Sequence, residues 1–321
     1  MVLLYLAAGI LVLALLISYI AYRMSFYVAS AWNDSPYKLP SGEQYQKERE
    51  KMTSLIRAME DLEYETISIN ARDGKRLYAR YYHVQDGAPL QIQIHGYHGN
   101  PLRDFCGGHK IAREAGHNTL VIDQRCHGKS DGHTITFGIR ERQDCLCWIH
   151  YALDRFGKET QIFLSGVSMG AATVLMASEL DLPKNVIGII ADCPYSSPEA
   201  IIRKVSKDMG LPPKLMFPFV RLGAKIYGRF NINEASAVTA VRNAKVPILL
   251  LHGDDDRFVP CDMSQEIFDA CKSQKRLEYF SGAGHAISYI VATEKYEKIV
   301  SEFIEECLEH AKEDTNAESD T

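Results

Sequence analysis

The sequence has no surplus of positive charge. Its 36 Lys and Arg stand against 41 Asp and Glu in 321 residues, a formal net charge of -5 with a pI near 6.1. Nothing here builds a basic field for a polyanionic backbone, which excludes nucleic acid as a partner. Also missing are the H-E-x-x-H, paired-carboxylate and clustered-cysteine patterns that ligate metals, and the G-x-x-x-x-G-K-S/T loop that cradles a nucleotide phosphate. No cofactor and no metal is implied. The eight cysteines (Cys106, Cys126, Cys145, Cys147, Cys193, Cys261, Cys271, Cys307) are scattered rather than spaced as a disulfide framework. Cys145 and Cys147, two apart on a predicted helix, face different ways and make neither a redox pair nor a zinc knuckle. Reduced thiols used as small apolar side chains fit this scatter and point to a reducing compartment.

Charge is absent altogether from Val2 to Tyr22, a run dominated by Leu, Ile, Val and Ala. About 21 such residues at 1.5 Å each cross the hydrocarbon core of a bilayer, so residues 1–23 are expected to form a transmembrane anchor. A cleavable signal peptide is the rival, with Ala29-Ser30-Ala31 as its small-residue site. Against it, no Lys or Arg precedes the run, the run is longer than such a segment needs, and the site lies several residues past its end. The nearest positive charges (Arg23, Lys38, Lys47, Arg49, Lys51) all follow the helix, which favours a cytoplasmic catalytic domain.

Composition bounds the remainder. At 46% hydrophobic and 24% charged, the chain can bury one large core. A linker with Asn33-Asp34-Ser35-Pro36 and Leu39-Pro40-Ser41-Gly42 leads into a charged, helix-prone segment from Glu43 to Asp61. Two strand-like runs, Tyr64 to Asn70 and Arg76 to His83, meet at Asp73-Gly74 and predict an antiparallel hairpin. Six short apolar strands then alternate with helical stretches: Leu90 to Ile94, Thr119 to Ile122, Gln161 to Leu164, Val186 to Ala191, Val246 to Leu251 and Leu277 to Phe280. Alternation of this kind predicts a mostly parallel eight-stranded sheet with helices on both faces, spanning residues 62–311. The interval of about fifty residues between the fourth and fifth of these six strands is too long for a crossover, and residues 197–243 are expected to form a helical cap. Residues 312–321 are acidic and polar, and are expected to be a disordered tail.

Ligands bind such sheets at the carboxyl ends of the strands, where the unusual residues collect. Gly166-Val167-Ser168-Met169-Gly170 lies between a strand and a small-residue helix, which places a serine on a tight, strained turn with the Met169 amide beside it. Alone the pentapeptide is weak, since chance supplies it in roughly one chain in ten of this length. His95-Gly96-Tyr97-His98-Gly99 follows an earlier strand and offers the Tyr97 amide as a second oxyanion donor. Asp123-Gln124-Arg125-Cys126-His127-Gly128-Lys129-Ser130, His252-Gly253-Asp254-Asp255-Asp256-Arg257-Phe258-Val259-Pro260 and Gly282-Ala283-Gly284-His285 follow three others.

In their order, the motifs H-G-x-x-G, D-x-R-x-H-G-x-S, G-x-S-x-G, H-G-x-x-D-x-x-V-P and G-A-G-H resemble the α/β-hydrolase superfamily of serine hydrolases. They resemble in particular bacterial membrane-anchored members with a helical cap, of the serine aminopeptidase-like and lysophospholipase-like groups. The resemblance covers roughly Tyr64 to His310. It implies Ser168 as nucleophile, Asp256 as orienting acid and His285 as base, with the Tyr97 and Met169 backbone N–H groups as oxyanion hole. The chemistry asks for the same set: serine needs an imidazole within reach, and the imidazole needs a carboxylate on its other nitrogen. Three consecutive aspartates compete for that last role. The spacing from Gly253 and the following Val-Pro favour Asp256, leaving Asp254 and Asp255 as turn or surface residues. His95, His127 and His252 read as loop-holding residues, and His98 lies nearer the oxyanion turn.

The implied activity is hydrolysis of carboxylic esters, acyl or lysolipid-like, through an acyl-enzyme. An amidase or serine peptidase would use the same triad. A membrane-tethered binding protein is the non-enzymatic alternative, disfavoured by an intact triad. The cap, rich in Met, Pro and aromatic residues, offers an apolar slot for an acyl chain or simply packing onto the sheet. No sequence feature specifies an oligomeric state.

Overall fold

The computed structural model describes residues 1–319, with side chains of the last helix described as far as Glu313. Eight strands make one sheet: β1 (Glu65–Asn70), β2 (Arg76–Tyr82), β3 (Leu90–Ile94), β4 (Asn118–Asp123), β5 (Ile162–Val167), β6 (Val186–Asp192), β7 (Ile248–Gly253) and β8 (Lys275–Phe280). Their spatial order is β1-β2-β4-β3-β5-β6-β7-β8. β2 runs antiparallel to both neighbours, and every other pairing is parallel. The hairpin expected at Asp73-Gly74 joins β1 to β2, with Gly74 at φ +80°, a region that favours glycine. Because β3 pairs with both β4 and β5, the chain leaves the β3/β5 boundary in opposite directions. That boundary is the switch point where a crevice opens at the carboxyl edge.

The helices are α1 (Val2–Ser25), α2 (Glu43–Lys47), α3 (Arg49–Glu60), α4 (Pro101–Glu114), α5 (Glu141–Phe156), α6 (Met169–Ala177), α7 (Pro198–Asp208), α8 (Pro213–Ile226), α9 (Ala237–Ala240), α10 (Asp262–Ala270), α11 (Ser288–Val291) and α12 (Thr293–Ser319). β3 reads Leu-Gln-Ile-Gln-Ile and is buried on both faces, so its side chains serve two cores. Leu90, Ile92 and Ile94 join Trp148, Ile149 and Leu175 on one face. The other face gathers Ile56, Phe105, Ile111, Phe163 and Phe303. A third cluster lies under the cap, where Phe137, Met169, Tyr195, Phe217 and Phe230 meet Tyr22 and Phe26 from the base of α1.

Two details differ from what the pattern suggests. The helix-prone segment Glu43 to Asp61 breaks at Glu48 into α2 and α3. The break turns Tyr45 inward, where it is buried. The interval between β6 and β7, by contrast, holds helices as expected of a cap: α7, α8 and α9. α12 continues past His310 to Ser319, through a stretch with neither Gly nor Pro to stop it. Asp320 and Thr321, the end of the expected tail, lie outside the described residues.

Candidate active site

β5 carries Ser165, Gly166 and Val167 into its ladder with Ile190, Ala191 and Asp192. The chain then reverses at Ser168, whose φ of +55° and ψ of -113° fall outside the regions open to an ordinary side-chain-bearing residue. Space explains the flanking glycines. A Cβ on Gly166 would lie 2.3 Å from the Gly170 carbonyl carbon, and one on Gly170 would lie 1.8 Å from the Ile94 carbonyl oxygen. Backbone therefore packs on backbone, and α6 begins against the end of β3.

His285 Nε2 lies 2.9 Å from Ser168 Oγ, and His285 Nδ1 lies 2.6 Å from Asp256 Oδ2. A carboxylate only accepts, so Nδ1 donates to it and Nε2 is left to accept from the serine hydroxyl. Asp256 Oδ1 accepts from the amides of Phe258 and Val259 at 2.9 and 2.8 Å, and His252 Nε2 stands 3.3 Å from Oδ2. Burial alone would raise the Asp256 pKa. Hydrogen bonding to His252 and His285 outweighs burial and holds the carboxyl well below the usual carboxylate range. The neighbouring aspartates have other partners: Asp254 accepts from the Gly282 amide at 2.7 Å, and exposed Asp255 pairs with Arg257 at 3.1 Å. His252 is wholly buried and fixes its loop, with Nδ1 2.6 Å from Ser264 Oγ and Nε2 2.9 Å from the Val259 carbonyl.

The turn after β3 is held from several sides. Gly96 donates its amide to Asp104 Oδ2 at 2.9 Å, Gly99 donates to the Gly96 carbonyl at 3.1 Å, and His98 donates to His127 Nε2 at 3.1 Å. His95 Nδ1 donates to the Gly96 carbonyl while Nε2 accepts from the Gln124 amide. His127 Nδ1 likewise donates to the Arg125 carbonyl. With a carbonyl on one nitrogen and an amide on the other, both rings are fixed as neutral tautomers, and burial holds both pKa values below the ordinary one. Asp104 is pushed up by burial, but the Arg103 guanidinium and the Gly96 amide more than offset this and hold its pKa below the ordinary value. Among the described residues, neither the Tyr97 nor the Met169 amide donates to a protein acceptor.

The prolyl oligopeptidase family model matches residues 134–311, more than half of the sequence. The chain belongs to the prolyl oligopeptidase family. The uncharacterized protein YqkD of Bacillus subtilis (strain 168) is 27% identical over 227 residues, 70% of this chain and 74% of that protein. The lysophosphatidylserine lipase ABHD12 of Danio rerio is 23% identical over 240 residues, which are 68% of this chain but only 59% of that protein. Among solved structures, the esterase Pf2001 of Pyrococcus furiosus superposes with a TM-score of 0.63 at 20% identity, covering 84% of this chain and 96% of that one. This family member is accordingly a hydrolase of the α/β-hydrolase superfamily.

In this prolyl oligopeptidase family hydrolase, Ser168 and His285 open on a cavity of about 920 Å³. Tyr97, Val167, Phe258 and Ile287 make its apolar wall, and Arg103, Lys204 and Arg257 line it paired with Asp104, Asp208 and Asp255. The opposite wall comes from an unexpected quarter, residues 40–52 between α1 and the hairpin. There Tyr45 donates its hydroxyl to the His285 carbonyl at 2.9 Å. Gln44 lies so close to Gly284 that a Cβ there would be 1.8 Å from its Oε1. Behind His285, fully buried Asp192 accepts from Tyr296 at 3.0 Å, and burial raises its pKa to about 6. The Cys193 thiol lies within 4.8 Å of donor atoms of Asp256 and His285, and burial pushes its pKa well above the ordinary value, so it stays protonated. Asp104, Arg103 and Tyr45 carry no sequence signal: each sits in a helix or turn where such residues are commonplace, and only long-range contact gives them a role.

Proposed function

We propose that this chain is a membrane-anchored serine hydrolase that cleaves carboxylic esters, acyl or lysolipid-like, through an acyl-enzyme formed on Ser168. The observation that carries this reading is the continuous hydrogen-bonded line Ser168 Oγ, His285, Asp256 at the switch point of the sheet. His285 Nε2 takes the hydroxyl proton as Oγ attacks the carbonyl carbon, and ionised Asp256 stabilises the imidazolium. The Tyr97 and Met169 amides hold the oxyanion, with the positive end of the α6 dipole behind Met169. The alcohol then leaves with the proton from Nε2, and water, activated by the same nitrogen, releases the acid. A lysophosphatidylserine lipase among the relatives and an esterase among the structural neighbours support ester chemistry. The family name favours a second reading on the same residues, a peptidase or amidase.

The anchor is α1, the one helix among the described residues that is long and apolar enough to cross a membrane. Cleavage after Ala31 would remove Tyr22 and Phe26, which are 6% and 1% exposed within the cap cluster. That supports a retained helix over a signal peptide; the cytoplasmic side for the catalytic domain of residues 62–311 rests on the positive charges that follow the run.

A fluorophosphonate probe tests the mechanism. The wild type is expected to label and Ser168→Ala to lose labelling, together with roughly 10⁴-fold or more of its hydrolysis rate. Absence of labelling in a folded wild type would sink the mechanism. Acyl esters of rising chain length beside aminoacyl amides then separate the two readings.

A further inference from the structure

The base of α1 does not stand free of the domain. Gly223 of α8 lies against it so closely that a Cβ there would be 2.4 Å from the Ser18 carbonyl, and Tyr227 donates its hydroxyl to the Leu15 carbonyl at 3.2 Å. Tyr227 also meets the rings of Tyr19 and Tyr22 at centroid distances of 5.2 and 6.0 Å. Arg23, the first charged residue after the apolar run, donates to the Tyr19 hydroxyl at 3.0 Å and lies 4.1 Å from the Tyr27 ring. Tyrosines around a first arginine are the composition of a membrane–water boundary. If Arg23 marks that boundary, Ser18 and Leu15 lie roughly 8 and 12 Å inside it at 1.5 Å per residue. The cap helix touching them reaches below the same surface.

α8 has the faces such a position needs. Phe217, Val220, Gly223 and Ala224 are buried toward the domain and α1. Next around the helix comes an apolar stripe of Leu215, Leu222 and Ile226, in which Leu215 is 62% and Ile226 43% exposed. Beyond it lies a stripe of exposed Lys214, Arg221 and Lys225, and α8 contains no acidic residue. At the α-helical repeat the apolar stripe separates the α1 contact from the cations. An amphipathic helix with this order of faces lies in the headgroup region, apolar stripe down and cations level with anionic lipid.

We propose that α8 is an interfacial membrane helix: alongside the spanning α1, the cap docks onto an anionic lipid surface through Leu215, Leu222 and Ile226, with Lys214, Arg221 and Lys225 at the phosphates. The inference rests on α1 as a spanning anchor, and the test separates the two. Full-length protein is reconstituted in phosphatidylcholine vesicles, with and without phosphatidylserine, whose acyl chains are brominated or not, and single tryptophans are read by quenching above the wild-type background. Val12→Trp reports on α1, Ile226→Trp on α8, and Val84→Trp, at the opposite edge of the sheet, on a site in water.

The expected result is strong quenching at Val12→Trp, at least twofold quenching at Ile226→Trp that rises with phosphatidylserine, and none at Val84→Trp. Lys214→Glu with Arg221→Glu and Lys225→Glu should abolish the phosphatidylserine dependence while leaving Val12→Trp quenched and the near-ultraviolet circular dichroism of the wild type intact. Quenching at Ile226→Trp no greater than at Val84→Trp, with Val12→Trp quenched, overturns the docking of α8 and leaves the anchor standing. A second copy of the chain covering the stripe would give that same pattern, with particles of twice the mass. An unquenched Val12→Trp overturns the anchor and the docking with it.

Discussion

The two sides of the cavity are built on opposite principles. On the sheet side, Ser168, His285 and Asp256 sit on turns between regular elements, built on close backbone approach, as at Gly166, Gly170 and Gly253. On the facing side, residues 26–52 have little regular structure and are placed by contacts far along the chain. The Trp32 amide donates to the Cys126 carbonyl at 2.7 Å, and the Trp32 ring stacks on His98 at 3.9 Å. Arg103 donates to the Lys38 carbonyl at 3.2 Å, and Tyr45 reaches His285. Residues on the sheet side are expected to govern chemistry, and those on the strap to govern how well that chemistry is positioned.

The sharpest break of this comparison is within the aspartate run. Asp256→Asn should lower kcat about 10⁴-fold by presenting the wrong hydrogen-bonding partner to His285, while Asp255→Asn should stay within about twofold, as expected of an exposed pair. Equal losses would dissolve the assignment.

An intermediate effect is expected at Asp104, which belongs to the sheet side but acts through the Gly96 amide. Asp104→Asn should cost roughly tenfold to a hundredfold in kcat with little change in KM, short of losing an oxyanion donor outright. It should also change the acid limb of stability. The folded pKa of Asp104 is depressed, so its contribution is present above the unfolded value near 3.9 and is lost as pH falls through the folded value. The asparagine variant, having no carboxylate to protonate, should show a shallower fall in Tm below about pH 4.

Among residues that hold the site together, the smallest effect belongs to the strap of residues 26–52. Tyr45→Phe removes one hydrogen bond to the His285 carbonyl, worth about 1 kcal/mol, and should lower kcat by less than about tenfold without abolishing fluorophosphonate labelling. A loss as large as that of Asp256→Asn would place the strap within the chemistry and erase the distinction drawn above.

The same division explains what was legible in the sequence. Strand and helix periodicity located all eight strands to within a few residues, and the long interval after β6 marked the helical cap. The elbow was legible because two glycines and a serine report a backbone constraint within five residues. Asp256 was singled out from its neighbours by its spacing from Gly253 and by the Val-Pro pair that follows. The strap was illegible, because Tyr45 meets His285 across 240 residues of sequence and no local pattern records such a meeting. The break at Glu48 was hidden for the same reason: residues 43–61 are uniformly helix-prone, and tertiary contact overrides propensity there.

The packing of α1 on α8 has a consequence for the order of assembly. Tyr22 and Phe26 reach Gly223 and Phe230 across roughly two hundred residues, and contacts of that span form late. α1 is synthesised about two hundred residues before α8 and is among the last elements to find its protein neighbours. Until the cap is made, Tyr22 and Phe26 have only Thr134 and Phe137 of these neighbours, so the third core closes only after α8 has formed.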